Sequence, residues 1–206
     1  MSDEVLKLIK DKEDQYVDLR FNDLPGKMQH LTFDVSMIDK DIFEEGTMFD
    51  GSSIAGWKAI NESDMVMRPD PKGAHIDPFY QQTTLAMFCD ILEPGTLQPY
   101  SRCPRSIAKK AEASVKSSGA GDTAYFGPEA EFLVFDDVRW STDPNNTGYS
   151  FDSTELPFNT GKAYDGGNLG HRPGPKGGYF PVPPIDSLQD MRGEMLEIMG
   201  QLGLKP

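Results

Sequence analysis

The 206-residue chain carries 33 Asp and Glu against 20 Lys and Arg, a formal net charge of −13. That balance argues against nucleic acid or an anionic membrane as a main partner, since both demand basic patches. With 37% hydrophobic and 10% aromatic residues a packed core is within reach, while 20 Gly and 16 Pro point to long irregular connections rather than a helical bundle. Cys89 and Cys103 are too few for a disulfide framework, and no CxxC is present for zinc. No apolar run approaches a membrane span and the start lacks an apolar signal core, so the default expectation is a soluble, cytoplasmic protein.

In chain order, residues 4–14 read as a short amphipathic helix with Val5, Leu6 and Ile9 on one face and Ser2 or Asp3 capping its start. The stretch "YVDLRFNDLPGKMQHLTFDV" predicts two strands around the turn "NDLPGK", with alternation through Val17, Leu19 and Phe21 and again through Leu31, Phe33 and Val35. Further strands are expected at Met65–Arg68 and Thr84–Asp90, joined by the turn-rich "RPDPKGAHIDPF". A helix follows from Pro104, a residue suited to the first helical position, with an apolar stripe of Ile107, Ala111 and Val115 and a stop at Gly119. Next comes a strand over "AYFGPEAEFLVFDDV", then a long irregular stretch from Asp136 to Pro184. Loops of that length are uncommon unless functional or covered by a partner. A last helix is predicted over "IDSLQDMRGEMLEIMGQLG", with Asp186 and Gln189 as a capping box, Leu188, Met191, Met195, Ile198 and Leu202 as the buried stripe, and Gly203 as the stop. One strong strand and two helices are too few to cover both faces of a sheet, so the second half reads as incomplete.

Three stretches carry candidate chemistry. In "YFGPEAEFLVF", Glu129 and Glu131 share one strand face, roughly 6–7 Å apart. A bare E-x-E is more often a solvated sheet face than a site. Apolar residues on both faces further along mark an interior strand, where two like charges must protonate or find a cation. Paired oxygen ligands there suit a hard divalent ion, Mg²⁺ or Mn²⁺. In "MFDGSSIAGWKAINESDMVM", Asp50-Gly51 is a natural turn whose serines satisfy local backbone groups on the plainest reading. Phe49 and Trp57 in that loop are costly unless something packs on them, and the loop suits the delivery of a carboxylate and hydroxyls to a small polar ligand. The glycines of "GPKGGYF" fit neither phosphate-binding fingerprint, and Tyr179 and Phe180 after them read as anchors of the loop. His30, His75 and His171 share no ligand spacing.

Together "FDGSSIAGWKAINESDMVM", "FGPEAEFLVF" and "GGYFPVPPIDSLQDMR" resemble, in order and spacing, the signatures of glutamine synthetases of the bacterial type I kind. The resemblance runs from about residue 4 to 206 and implies an α+β chain. Residues 1–103 would be a β-grasp-like domain and residues 104–206 the beginning of a truncated α/β catalytic domain. It implies ATP-dependent ligation of ammonia to glutamate through γ-glutamyl phosphate, with Mg²⁺ or Mn²⁺. Glu131 would sit on the ion that helps bind glutamate and Glu129 on the ion near the ATP phosphates. Asp50 and Ser53, from a neighbouring subunit, would lie beside Tyr179 at the ammonium pocket of a two-ring homododecamer. The family's further metal ligands, its ATP-binding stretch and its substrate-binding arginines belong C-terminal to residue 206, so the chain is expected to be inactive alone. Two rival expectations are a γ-glutamyl-amine ligase and a short, non-catalytic assembly or regulatory subunit.

Overall fold

Alternation through Val17, Leu19 and Phe21 leaves Asp18 and Arg20 on the opposite side, and both faces of that strand prove to be covered. The computed structural model describes residues 1–11, 13, 15–156 and 172–205. They fall into two compact units, Met1–Phe126 and Gly127–Pro206.

The first unit runs α1 (Ser2–Asp11), β1 (Tyr16–Asn22), β2 (Met28–Asp34), a short α2 (Asp41–Glu44), β3 (Thr47–Asp50), β4 (Asp64–Pro69), β5 (His75–Ile76), β6 (Thr84–Leu92) and α3 (Pro104–Ser117). The end of the predicted first helix, at residues 12 and 14, lies outside the described residues. The strands form one curved mixed sheet ordered β2-β1-β6-β4-β3, with β5 on β6. β1 and β2 form the expected hairpin, Leu19 opposite Leu31. β1 runs parallel to β6, while the remaining pairs are antiparallel.

The core takes the predicted apolar residues of β1, but Leu31 of β2, predicted on an apolar face, is 38% exposed. Val17, Leu19, Met65, Met67, Leu85 and Met87 are fully buried, with Val5 and Ile9 of α1 closing over them. Each such side chain contributes about 1.5–3 kcal/mol on leaving water. Both thiols are buried and free, and desolvation pushes that of Cys89 far above its ordinary value. On the sheet's other face, buried Asp18 accepts hydrogen bonds from Arg20 Nε (2.7 Å) and Thr32 Oγ1 (2.7 Å), and its Oδ1 lies 2.6 Å from His30 Nδ1. Arg20 also reaches Asp77 (2.6 Å). A buried carboxylate is tolerable because its lone pairs are answered in this way.

The predicted stripe of α3 is not its buried face. Ile107 is 51% exposed, and Ser106 is the buried residue of the helix. The helix is tied to the sheet by charge instead, with Arg105 on Asp70 (2.5 Å) and Asp90 (2.9 Å), and Lys109 on Asp90 (2.6 Å).

The second unit departs most from expectation. The strand predicted over residues 124–138 forms no ladder from 124 to 136, and only Asp137 and Val138 at its end enter one. No described strand lies beside it to take its N–H and C=O groups, and a strand without a partner does not persist. The segment read as irregular instead contains a hairpin, β7 (Asp137–Asp143) and β8 (Asn146–Asp152), with Trp140 opposite Tyr149. Its signal was present in the alternation of Val138, Trp140 and Thr142, then Tyr149 and Phe151, around "DPNN". The last helix, α4, spans Gln189–Gln201 and stops before Gly203 as predicted. The capping box is absent, since Asp186 accepts Leu188 N (3.1 Å) and pairs with Arg192 (3.0 Å). No residue of α4 is buried, because its stripe meets no opposing apolar face among the described residues.

Candidate active site

Asp50 ends β3, opposite Asp64 on β4, and the chain then turns through a single 3-10 turn, Gly51–Ser53. The carboxylate is held locally. Oδ1 accepts from Ser52 N (2.8 Å) and Ser52 Oγ (2.6 Å), and Oδ2 accepts from Ser53 Oγ (3.1 Å). The Ser52 hydroxyl and amide bonds hold its pKa below the ordinary 3.8. Asp50 is therefore an exposed, fixed anion at neutral pH, suited to attracting a small cation. Gly51 is buried, and a Cβ there would stand 2.4 Å from Met65 Sδ and 2.7 Å from its Cγ. Only glycine lets this turn lie down on the core.

Trp57 is what fastens the loop. It is 4% exposed, with its ring 5.4 Å from Phe21, 6.3 Å from Phe49 and 5.3 Å from Tyr100. The aromatic placement that looked costly in the sequence is a packed anchor, each ring pair adding about 0.5–1.5 kcal/mol beyond area burial. The supporting residues Tyr100 and Arg102 were missed, and no local signal marks them, because they act on backbone carbonyls 43–46 positions earlier in the chain.

In the second unit Glu129 and Glu131 lie on this unladdered segment, both exposed, with no hydrogen bond or ion pair to the described residues. The far end of that segment is pinned: Val134 O accepts from Ser153 Oγ (2.9 Å), and Phe135 packs on Phe151 (4.7 Å). Carboxylate oxygens are the right donors for a hard divalent ion, but two do not close a site. Among the described residues no group of three or more His, Cys, Asp or Glu is gathered in metal-binding geometry. Tyr179 is 87% exposed and meets Phe180 edge-on at 4.6 Å, so this pair does not anchor its loop as the sequence suggested. His171 lies outside the described residues. Thus Asp50 and Ser53 are brought together in one unit, while Glu129, Glu131 and Tyr179 belong to the other. No helix among the described residues is long and apolar enough to cross a membrane.

Comparison with known proteins places these features in one family. The glutamine synthetase beta-Grasp domain model matches residues 13–94, and the glutamine synthetase catalytic domain model matches residues 101–206. The chain is 68% identical over 202 residues to a glutamine synthetase of Bradyrhizobium diazoefficiens and 60% identical over 203 residues to one of Rhizobium meliloti. Each alignment covers 98% of this chain and 43% of the relative, so the chain spans less than half the length of these curated relatives. Its fold is shared with the Plasmodium falciparum glutamine synthetase solved by cryo-electron microscopy, with TM-score 0.82 at 23% identity over 100% of this chain and 40% of that one. The chain belongs to the glutamine synthetase family, as the three motifs implied, and its architecture is the expected β-grasp sheet followed by the start of the catalytic domain.

Proposed function

We propose that this chain is the N-terminal portion of a cytoplasmic ligase that joins ammonia to the side-chain carboxyl of glutamate at the expense of ATP. The division into residues 1–103 and 104–206 is part of the proposal. The reaction runs in two steps. The terminal phosphoryl group of ATP passes to the glutamate side-chain carboxylate, giving γ-glutamyl phosphate and ADP. Ammonia then attacks the acyl carbon, phosphate leaves, and the nitrogen's extra proton must be taken up by a base.

The observation that carries this reading is the Asp50 turn: an exposed carboxylate, ionised and fixed by Ser52 and Ser53, in a chain 68% identical to a glutamine synthetase. Ammonium is the dominant form of ammonia at neutral pH, so its capture calls for a fixed anion and the release of the nucleophile calls for a base. Asp50 supplies both roles, and Ser53 holds the carboxylate's orientation. Tyr179, approached by Asp50 of a neighbouring subunit in a homo-oligomer of two rings, closes the ammonium pocket. Its present exposure fits a residue that awaits a partner.

Glu129 and Glu131 are two ligands of a larger set for Mg²⁺ or Mn²⁺, whose chemistry is to neutralise charge on the phosphate oxygens. Glu131 serves the ion at glutamate and Glu129 the ion at ATP. The length by which the family relatives exceed this chain is where the remaining ligands belong.

The test is Asp50→Asn in the full-length protein carrying this segment. We expect kcat/KM for ammonium to fall about 10²–10⁴-fold, with KM for ATP unchanged. An unchanged kcat/KM for ammonium would remove Asp50 from the mechanism.

A further inference from the structure

The strongest hydrogen bonds to Asp50, from Ser52 and Ser53, are made within three residues and set the carboxylate's rotamer, with Ser63 adding a weaker one from the start of the β3–β4 return. Where the loop itself lies is decided elsewhere. Its base is closed by Gly51 N on Ser63 O (2.7 Å) and by the short β3–β4 ladder. Its far side, Ile54 to Lys58, belongs to no strand, and its backbone needs other partners.

Ile54 N and Trp57 N find carbonyls within the loop, on Gly51 (3.2 Å) and Ile54 (3.1 Å), whereas the partners of the Gly56 and Trp57 carbonyls come from the segment following β6. Gly56 adopts φ +79°, a reversal that glycine makes without strain, and this presents two successive carbonyls to a single side chain. Arg102 Nη1 donates to Gly56 O (2.5 Å) and to Trp57 O (3.2 Å). Tyr100 Oη donates to Trp57 O as well (2.9 Å), and its ring packs against the Trp57 indole. Lys58 completes the set, paired with Glu93 (2.8 Å) with its Nζ 5.2 Å from the Tyr100 ring centre. A charged donor on a carbonyl is stronger than a neutral one, and here one guanidinium nitrogen, held in a rigid planar group, serves both carbonyls.

We infer that Arg102, with Tyr100, is a positioning residue for the Asp50 carboxylate: the pair clamps Gly56 and Trp57 and so fixes the loop that delivers Asp50 to ammonium. This rests on the role given to Asp50 above. Neither side chain touches a reacting atom. Their effect passes through Trp57 to Phe49, which immediately precedes Asp50 and lies 6.3 Å from the indole. Loosening the clamp frees the loop to sample positions in which the carboxylate no longer meets the incoming cation. Binding of ammonium weakens, while ATP is unaffected.

The experiment compares Arg102→Gln, Arg102→Lys, Tyr100→Phe and Asp50→Asn in the full-length protein, reading KM for ammonium, KM for ATP, kcat and the thermal midpoint. Arg102→Gln is expected to raise KM for ammonium about tenfold and to lower kcat as well, with KM for ATP unchanged. Arg102→Lys, which keeps the charge but replaces the rigid planar group with a flexible stem, recovers part of that loss, and Tyr100→Phe gives a smaller rise of the same kind. A purely structural role would instead lower the thermal midpoint and move all kinetic constants together, and that result overturns the inference. So does an unchanged KM for ammonium in Arg102→Gln when Asp50→Asn raises it. If Asp50→Asn itself leaves ammonium kinetics unchanged, the role of Asp50 falls and the clamp falls with it.

Discussion

The two units treat their apolar residues in opposite ways. Among the described residues every buried hydrophobic side chain lies between Val5 and Cys103, where helix, sheet and loop close over one another. Among the described residues of the second unit the buried ones are Asp152 and Ser153, both polar, while Phe132, Leu133, Trp140, Tyr149 and Tyr179 stand in solvent. Apolar pattern is thus present in both, but among the described residues only the first unit contains the surfaces its pattern asks for. A hydrophobic face states a demand for a partner, and the chain segment that meets it need not be nearby.

This difference can be broken by substitution, starting with the core. Leu19→Ala removes a fully buried side chain and is expected to cost 2–5 kcal/mol, roughly, in chemical denaturation. Leu133→Ala, at a site 58% exposed, should stay within about 0.5 kcal/mol. Equal losses at the two positions would erase the contrast. A smaller effect is expected at the Asp50 turn. Gly51→Ala drives a Cβ to 2.4 Å from Met65 Sδ, inside a core without spare room, and should cost about 1–3 kcal/mol by the same measurement. A neutral result would mean that the turn does not rest on the core.

The smallest effect concerns acid. Burial pushes the Asp18 and Asp90 carboxyls upward, yet Arg20, Thr32 and His30 around the first, and Lys109 and Arg105 around the second, outweigh it and hold both below 3.8. Because each folded value lies below the unfolded one, these ion pairs contribute stability above pH 3.8 and lose it as pH falls through the depressed values. Urea midpoints for the first unit should therefore be flat from neutral pH down to about 4 and then drop. A midpoint that falls steadily from pH 7 would place the titrating groups elsewhere.

The same asymmetry explains what the sequence disclosed. Strands β1, β4 and β6 were legible because their apolar residues are answered by one another, as Val17 is by Leu85, and β2 because it closes a hairpin with β1. The Asp50 turn was legible because a D-G-S-S tetrapeptide satisfies itself locally. Glu129 and Glu131 were legible only as an oddity in an apolar run, and the strand read there lacks the neighbours that would make it one. Tyr100 and Arg102 left no trace, since an arginine bound to a distant carbonyl looks in sequence like any surface arginine. The β7–β8 hairpin was overlooked because a long Gly- and Pro-rich context masked a plain alternation around "DPNN".

One measurement tests the central claim that this chain holds the ammonium-side carboxylate and part of the metal set but not a complete active site. Glutamine formation from glutamate, ammonium, ATP and Mg²⁺ is followed with the 206-residue chain alone and with the full-length protein carrying it. We expect turnover by the full-length protein and none by the chain. Turnover by the chain alone would contradict the account.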